Sequence, residues 1–572
     1  MTAIEVFSGR VRFLFVCFLI LGVCLLTKLY FVQIVQGETF TEKADRQYAP
    51  TMSGVFDRGA IYFTDKNGRQ ISAATVQSGY VLTINPVALV DADGAFEALN
   101  AITPLESDVF NVAVAKTDDP YEEIAEGISK DIADEITALR LPGVSFYKEQ
   151  WRAYPAGSRA AHTLGFVGFE GDARVGQYGL ERYYEHVLSR GDESAYKNFF
   201  AEVFSNIEEV TDIDEGKAKG SLVTTIEPTV QGVLEDSLAY VADTWDVKTA
   251  GAVIMDPMTG DIIAIAGYPT FDPNNFSDVE SLGVFANPIV EKVYEMGSIV
   301  KPLTLAAGLD AGVVTPDTTY NDKGKLTIED YTISNYDGRG RGISSMYQVL
   351  GQSLNTGMAF VVGELGNKRF ADYFRAYGLG EETGIDLPGE VSGFLAGLDS
   401  PRDIEYVTAA YGQGIAVTPI AMTRALAALG NGGMLVTPHV VKEINYDLGI
   451  TKSIGHPTDE RVLSTEASRT ITRMLVRVVD EWLLGGTVMK EHYSIAAKTG
   501  TAQIADKVNR GYYDDRYLHS FFGYFPAYDP KFIVFLYAEE PKGVNYASET
   551  LTHPFMDIAE FLINYYEIPP DR

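Results

Sequence analysis

Cysteine is nearly absent from this 572-residue chain. Its two cysteines, Cys17 and Cys24, share one apolar N-terminal stretch, where a disulfide between them on a single helix is sterically unfavourable. The remainder of the chain can therefore fold in an oxidising compartment without bridges. No Cys/His spacing predicts zinc and no acidic loop predicts calcium, so we expect neither a metal nor a cofactor.

Positive charge is also scarce. Lysine and arginine number 46 against 78 acidic residues, which gives a net charge of −32. This balance excludes nucleic acid and an anionic membrane surface as partners. It is typical of an acidic protein surface outside the cytoplasm.

Histidine, the usual base for a serine nucleophile, forms no triad-like pattern among its seven copies. Three short motifs offer different chemistry, and they occur in the order Ser298-Ile-Val-Lys301, Ser353-Leu-Asn355 and Lys498-Thr-Gly500. A Ser-x-x-Lys pair alone is weak evidence, since Ser145 and Ser194 begin two others. The ordered set of three is specific for an acylating serine site.

The spacing of the first motif predicts a helix with Ser298 at its start and Lys301 one turn later on the same face. Lysine can act as the base only if burial and a second cation lower its pKa, and Lys498 is the candidate cation. We expect Ser353 to relay a proton to the leaving group. We expect Asn355 to hold Lys301 in place and to bind the substrate amide.

The third motif lies in a predicted strand whose edge can bind an extended peptide. Gly500 leaves room for close approach of a backbone, and Lys498, Thr499 and Thr501 offer donors to a carboxylate. The backbone N–H groups of Ser298 and Thr501 are the candidate oxyanion hole.

With these motifs the chain resembles the class B penicillin-binding proteins, which are membrane-anchored peptidoglycan D,D-transpeptidases. The resemblance covers nearly the whole chain and extends to further segments: Arg58-Gly-Ala-Ile61, Arg152-Ala-Tyr-Pro-Ala-Gly157, Gly179-Leu-Glu181, Ala252-Val-Ile-Met-Asp-Pro257 and Gly412-Gln-Gly-Ile415. Two positions depart from the family pattern. Ala497 replaces the usual glycine before Lys-Thr-Gly, and Ile420 or Ala421 replaces a usual glutamine.

The chain is predicted to be α+β, with a cytoplasmic N-terminus (1–12), a transmembrane anchor (13–35), a dimerisation-type, non-catalytic pedestal (40–220) and a transpeptidase domain (221–572). The apolar run is long enough to span a bilayer, and Arg10 and Arg12 before it keep the N-terminus cytoplasmic. The resemblance implies a five-stranded antiparallel sheet flanked by helices, similar to serine β-lactamases. The stretch at 121–126 predicts a helix, and 298–440 is mostly helical in pattern.

The resemblance implies that Ser298 attacks the D-alanyl-D-alanine bond of a peptidoglycan stem peptide, with β-lactams as covalent inhibitors. It also implies a membrane-embedded glycan polymerase as a partner. The C-terminal segments Ala527-Tyr-Asp-Pro530 and Glu540-Pro-Lys542 resemble the septal branch, which implies other cell-division proteins as further partners; an elongation-type enzyme is the alternative. A D,D-carboxypeptidase or β-lactamase-type hydrolase, and a non-catalytic scaffold or β-lactam sensor, are the competing functions.

Overall fold

The computed structural model describes residues 56–190 and 218–572, except 118, 172, 448, 456–459, 507 and 510. The predicted cytoplasmic segment 1–12 and anchor 13–35, with both cysteines, lie outside the described residues. Within the described ranges, no helix is both long and apolar enough to cross a membrane. The described chain divides into two compact units, a smaller one (residue 56 and residues 80–150) and a larger one (57–79, 151–190 and 218–572).

The smaller unit packs three helices against a set of paired strands. It holds the second part of strand β2 (Gln70–Ile84), α1 (Ala92–Asn100), α2 (Ser107–Ala115), β3 (Glu122–Ile128), α3 (Lys130–Ala138) and most of β4 (Val144–Ala153). Both β3 and β4 pair with β2. Leu82, Leu99, Phe110 and Ile136 form its core.

The helix predicted from Tyr121-Glu-Glu-Ile-Ala-Glu is wrong, because Glu122–Ile128 is strand β3. Its backbone pairs with β2, with Ile128 opposite Tyr80 and Ala125 opposite Leu82. Ile124 and Ile128 are buried in the core. Strand pairing and burial thus override the helix propensity of glutamate and alanine.

The larger unit begins with short elements that precede its main sheet. They are β1 (Ile61–Thr64), α4 (Ala161–Leu164), β5 (Val167–Glu170), β6 (Ala173–Gly176), α5 (Gly179–Tyr183), α6 (Glu185–Leu188) and β7 (Gly220–Thr224). Strand β7 runs parallel to β1 and is joined on its other side by a later strand, Val441–Tyr446.

The remaining elements of the larger unit build the main sheet and the helices around it. They are α7 (Pro228–Trp245), β8 (Thr249–Met255), β9 (Ile262–Tyr268), α8 (Lys301–Asp310), β10 (Thr319–Asp322), β11 (Lys325–Ile328), β12 (Tyr331–Ser334), β13 (Gly342–Ser345), α9 (Met346–Gly351), α10 (Asn355–Leu365), α11 (Asn367–Ala376), α12 (Asp403–Ala409), α13 (Pro419–Ala427), β14 (Met434–Leu435), β15 (Val441–Tyr446), β16 (Thr451–Ser453), β17 (Glu460–Arg461), α14 (Thr465–Arg477), β18 (Ala496–Ala505), β19 (Tyr512–Phe525), β20 (Phe532–Glu539), α15 (Ala547–Thr550) and α16 (Thr552–Tyr565). Among these residues, the segment 298–440 holds four short strands between α8 and α9, so its predicted helical character is only partly correct.

The main sheet is five-stranded and antiparallel, in the order β18-β19-β20-β8-β9. Alternate residues of β8 face two different cores, as strand geometry requires. Val253 and Met255 face the cluster that includes α8, whereas Ala252 and Ile254 face α7 and α16. The predicted sheet, flanked by helices on both faces, is therefore present in the described chain, and β18 forms one edge of it.

Candidate active site

The nucleophile candidate lies in a short 3₁₀ helix, Gly297–Val300, that leads directly into α8. Pro302 occupies the first turn of α8, where its missing N–H costs no helical hydrogen bond. Gly297 has φ of +63° and packs on Gly412, since a Cβ on Gly412 would lie 2.2 Å from the Gly297 carbonyl oxygen. The sequence analysis gave the segment at Gly412 no role. In the structure it packs against Gly297, the residue before Ser298.

The edge strand β18 passes beside this turn. A Cβ on Gly500 would lie 2.7 Å from the carbonyl oxygen of Met296 and 3.0 Å from Ile299. The backbone that approaches Gly500 closely is therefore that of the turn that carries Ser298. A Cβ on Gly297 would likewise meet the Thr501 carbonyl oxygen at 2.8 Å. Ser298 and Thr501, the candidate oxyanion-hole residues, are thus adjacent in the fold.

Ser353 is where the two lysines meet. Lys301 Nζ donates to the Ser353 carbonyl oxygen at 2.5 Å and to its Oγ at 3.0 Å. Lys498 Nζ donates to the same Oγ at 3.2 Å and to the Thr499 carbonyl oxygen at 2.9 Å. The three motifs therefore meet at Ser353.

Burial decides the protonation of both amines. Lys301 is fully buried, and desolvation together with the charge of Lys498 holds its pKa well below that of a free lysine. Desolvation lowers the pKa of Lys498 to about 7. A neutral amine has two N–H donors and one lone pair. In its neutral form, Lys301 directs both donors at Ser353, so its lone pair is available to accept a proton.

Asn355 does not hold Lys301, which corrects one expectation. Its side-chain nitrogen donates to the carbonyl oxygen of Ser334 at 2.8 Å, and Ser353 makes the contacts to Lys301 instead. The Ser298 hydroxyl is half-buried and has no hydrogen bond within the described part of the chain. It is therefore available to a substrate, since catalytic contacts often tighten only in the complex.

The other third-motif residues occupy alternate faces of β18. Lys498 and Gly500 face the Ser298 side, because Gly500 abuts Met296 and Lys498 reaches Ser353. Thr501 Oγ accepts a hydrogen bond from Ala547 N at 3.1 Å, which leaves its hydroxyl proton free to donate. Thr499, which is half-buried, lies between Lys498 and Gly500 along β18.

The sequence did not predict the buried polar residues that contact the start of α10, next to Ser353 and Asn355. Asp322, Asn335 and Thr356 form a buried hydrogen-bonded cluster next to these two motif residues. Asp322 and Asn335 lie in the segment between α8 and α9, whose strands the sequence pattern did not reveal. Asp322 and Asn335 lie 13 residues apart in this segment, and no hydrophobic periodicity in the sequence predicts that they pair.

Known families match both parts of the chain. The Penicillin binding protein transpeptidase domain matches residues 250–560, and the Penicillin-binding Protein dimerisation domain matches residues 56–220. The chain is 31% identical to Stage V sporulation protein D of Bacillus subtilis, over 96% of this chain and 84% of that protein. It is 27% identical to peptidoglycan D,D-transpeptidase FtsI of Escherichia coli, over 99% and 93% of the two chains.

Solved structures share the fold. Penicillin Binding Protein 2X from Streptococcus thermophilus aligns with a TM-score of 0.72 at 20% identity, over 91% of this chain and 81% of that chain. The apo form of Penicillin binding protein 3 from Mycobacterium tuberculosis aligns with a TM-score of 0.65 at 26% identity, over 74% and 92%. The chain belongs to the class B penicillin-binding proteins and is an acyltransferase of the D,D-transpeptidase type, as its motifs predict.

Proposed function

We propose that this protein cross-links peptidoglycan stem peptides through an acyl-enzyme on Ser298. The observation that carries the proposal is the convergence of Lys301 and Lys498 on Ser353 Oγ, at 3.0 and 3.2 Å, beside the turn that bears Ser298. A histidine-free site needs such a desolvated amine to activate the serine.

In the acylation step, Ser298 Oγ attacks the carbonyl carbon between the two terminal D-alanines while its proton passes to Lys301 Nζ. The N–H groups of Ser298 and Thr501 bind the oxyanion. Ser353 accepts hydrogen bonds from both lysines, so its own proton can be donated to the leaving amine. The C–N bond breaks, D-alanine leaves, and Lys301 returns a proton through Ser353.

In the second step, an amine of a neighbouring stem peptide attacks the Ser298 ester. That amine loses a proton to the site, the new amide forms, and the Ser298 hydroxyl is restored. Lys498, Thr499 and Thr501 bind the terminal carboxylate of the donor peptide. Asn355 binds the donor backbone amide through the side-chain oxygen that its contact to Ser334 leaves available.

Intact-mass analysis and peptide mapping after exposure to penicillin test the acyl-enzyme. We expect one penicilloyl adduct on Ser298 in the wild type and none in Ser298→Ala. Ser145→Ala is the matched control, because Ser145 begins another Ser-x-x-Lys sequence, and it should keep full labelling. Persistent labelling of Ser298→Ala would contradict the assignment.

Turnover of a donor peptide with and without an amine acceptor separates cross-linking from hydrolysis. A transpeptidase forms the cross-linked product when acceptor is present, whereas a D,D-carboxypeptidase or a β-lactamase-type enzyme yields only hydrolysis products. A scaffold or sensor yields neither. The transpeptidase family match favours the first outcome.

The cellular role that we propose is septal wall synthesis, with segment 13–35 as the membrane anchor, residues 40–220 as a pedestal and a membrane-embedded glycan polymerase as partner. The likeness to FtsI of E. coli supports this role. A fluorescent fusion should localise to midcell. Uniform localisation along the side wall would favour the elongation-type alternative.

A further inference from the structure

Asp322, at the end of β10, is a buried carboxylate outside the three motifs. It is only 2% exposed, and neutral donors surround it. Gly324 N and Arg341 N donate to it at 2.9 Å each, Asn335 Nδ2 at 3.0 and 3.1 Å, and Thr356 Oγ at 2.8 Å. A buried carboxylate is costly unless its acceptor capacity is used, and here both oxygens accept hydrogen bonds.

Asn335 extends this cluster to the start of a helix. Its Oδ1 lies 3.3 Å from Thr356 N and 3.2 Å from Thr356 Oγ. Thr356 is the second residue of α10, and the cap residue Leu354 has no side-chain acceptor for the unpaired N–H groups of the first turn. Asn335 supplies that acceptor from 21 residues away, and the Asp322 carboxylate places negative charge near the positive end of α10.

The capped helix end carries the second motif. Asn355 is the first residue of α10, and its amide donates to Ser334, the neighbour of Asn335. Ser353, two residues earlier, has φ of +55°, a conformation that an L-residue keeps only when its surroundings enforce it. The positions of Ser353 and Asn355 therefore depend on the residues packed against the N-terminal end of α10.

We propose that Asp322 and Asn335 are positioning residues of the reaction: they cap α10 from the β10–β13 segment and so hold Ser353 and Asn355 opposite Lys301 and Lys498. This inference rests on the proposed function. Neither residue contacts substrate. Asp322 acts through Thr356, and Asn335 acts through Thr356 and its chain neighbour Ser334. Loss of the cap shifts Ser353 away from the two amines.

Thr356 offers a matched pair of variants for the test. Thr356→Val keeps the shape of the side chain but removes the hydroxyl that reaches Asp322, while Thr356→Ser keeps the hydroxyl. Asp322→Asn probes the other end of the contact. Asp386→Asn is the control for a buried carboxylate elsewhere, since Asp386 also accepts hydrogen bonds, from Val440 N at 2.7 Å and Val441 N at 2.8 Å.

The measurement is the acylation rate of the full-length protein by a fluorescent penicillin, divided by the fraction of sites that label at saturation. We expect Thr356→Val and Asp322→Asn to acylate at least tenfold more slowly per active site. Thr356→Ser should stay within about twofold of wild type. Asp386→Asn should lower the melting temperature while leaving the rate per site unchanged.

The per-site rate distinguishes positioning from folding, because a purely structural defect lowers the labelled fraction and not the rate of the sites that remain. Equal per-site rates in Thr356→Val, Thr356→Ser and wild type would overturn the inference, even if Asp322→Asn does not fold. A wild type that acquires no label on Ser298 would instead overturn the proposed function itself.

Discussion

Ser353 occupies a backbone conformation that normally belongs to glycine. Helix α9 ends at Gly351, and the chain then closes a helix-ending turn in which Leu354 N donates to the Val349 carbonyl at 2.9 Å and Ser353 N to the Leu350 carbonyl at 3.3 Å. Glycine is favoured at the left-handed position of this motif. The chain keeps a serine there because glycine has no hydroxyl for the two lysines to contact.

This conflict between stability and chemistry gives a prediction for Ser353→Gly and Ser353→Ala. Both variants lose the hydroxyl, so both should lose most penicillin acylation. Glycine relieves the left-handed strain, about 1 kcal/mol, so Ser353→Gly should melt at a higher temperature than Ser353→Ala. Thermal unfolding and penicillin labelling of the two proteins measure the two effects. A Ser353→Ala protein that is the more stable of the pair would contradict this account.

At the scale of single residues, sequence reasoning identified reactive groups better than their partners. It predicted the lowered pKa of Lys301 and named burial and Lys498 as the causes, and both are confirmed. It assigned Asn355 to Lys301, whereas the structure pairs Asn355 with Ser334. The short motif spacing carries the chemistry, but a contact to another segment depends on a fold that local pattern does not encode.

Among the elements, β18 explains how the chain tolerates Ala497 in place of the family's usual glycine. Ala497 lies opposite Gly523 of β19, and a Cβ on Gly523 would lie 2.9 Å from the Ala497 methyl. The same Cβ would meet Phe555 Cζ at 2.4 Å. The methyl of Ala497 thus fills space that the facing strand leaves open.

We therefore expect Gly523→Ala to destabilise the protein by about 1–3 kcal/mol through overpacking. Phe555 has little freedom to yield, because it is fully buried and its ring lies 4.6 Å from that of Phe521. Gly363→Ala is the matched control, since a Cβ there meets nothing within 4 Å, and alanine is favoured in its helix, α10. Urea unfolding of both variants provides the comparison, and equal stability would contradict the packing argument.

Helices and strands that are marked by turn residues or hydrophobic periodicity were predictable from the sequence. Strands that form only because a distant strand pairs with them were not. The β8–β9 hairpin and the amphipathic helix α16 follow from turn residues and periodicity. Strand β3 was predicted as a helix, because its acidic sequence favours a helix until β2 pairs with it. The strands β10–β13 are only four residues long each and lack the alternation that marks a half-buried strand.

At the scale of the larger unit, one buried ion cluster joins segments that are far apart in sequence. Glu181 accepts from Arg58 Nε at 2.5 Å and from Arg152 Nε at 2.6 Å, and all three side chains are at least 97% buried. Tyr154 OH adds a contact to Glu181 at 3.2 Å. These residues belong to the segments that resemble the family outside the catalytic motifs, so the sequence identified them without revealing that they meet.

Removal of the central carboxylate should be costly, because it leaves two buried arginines without their main partner. We expect Glu181→Gln to lose about 3–5 kcal/mol of unfolding free energy at neutral pH. Glu185→Gln is the control: Glu185 contacts Arg58 at 2.7 Å, but its side chain is 31% exposed, so we expect a loss below about 1 kcal/mol. Urea unfolding of the full-length variants measures both.

The pH dependence of this difference follows from the pKa of Glu181. Burial raises that pKa, but Arg152 and Arg58 outweigh burial and hold it below the ordinary 4.5. A carboxyl whose folded pKa is depressed contributes stability above its unfolded pKa and loses it as pH falls through the folded value. The gap between wild type and Glu181→Gln should therefore be full at neutral pH and shrink once the pH drops below about 4.5. A gap that stayed constant into strong acid would show that the loss comes from packing rather than from the ion cluster.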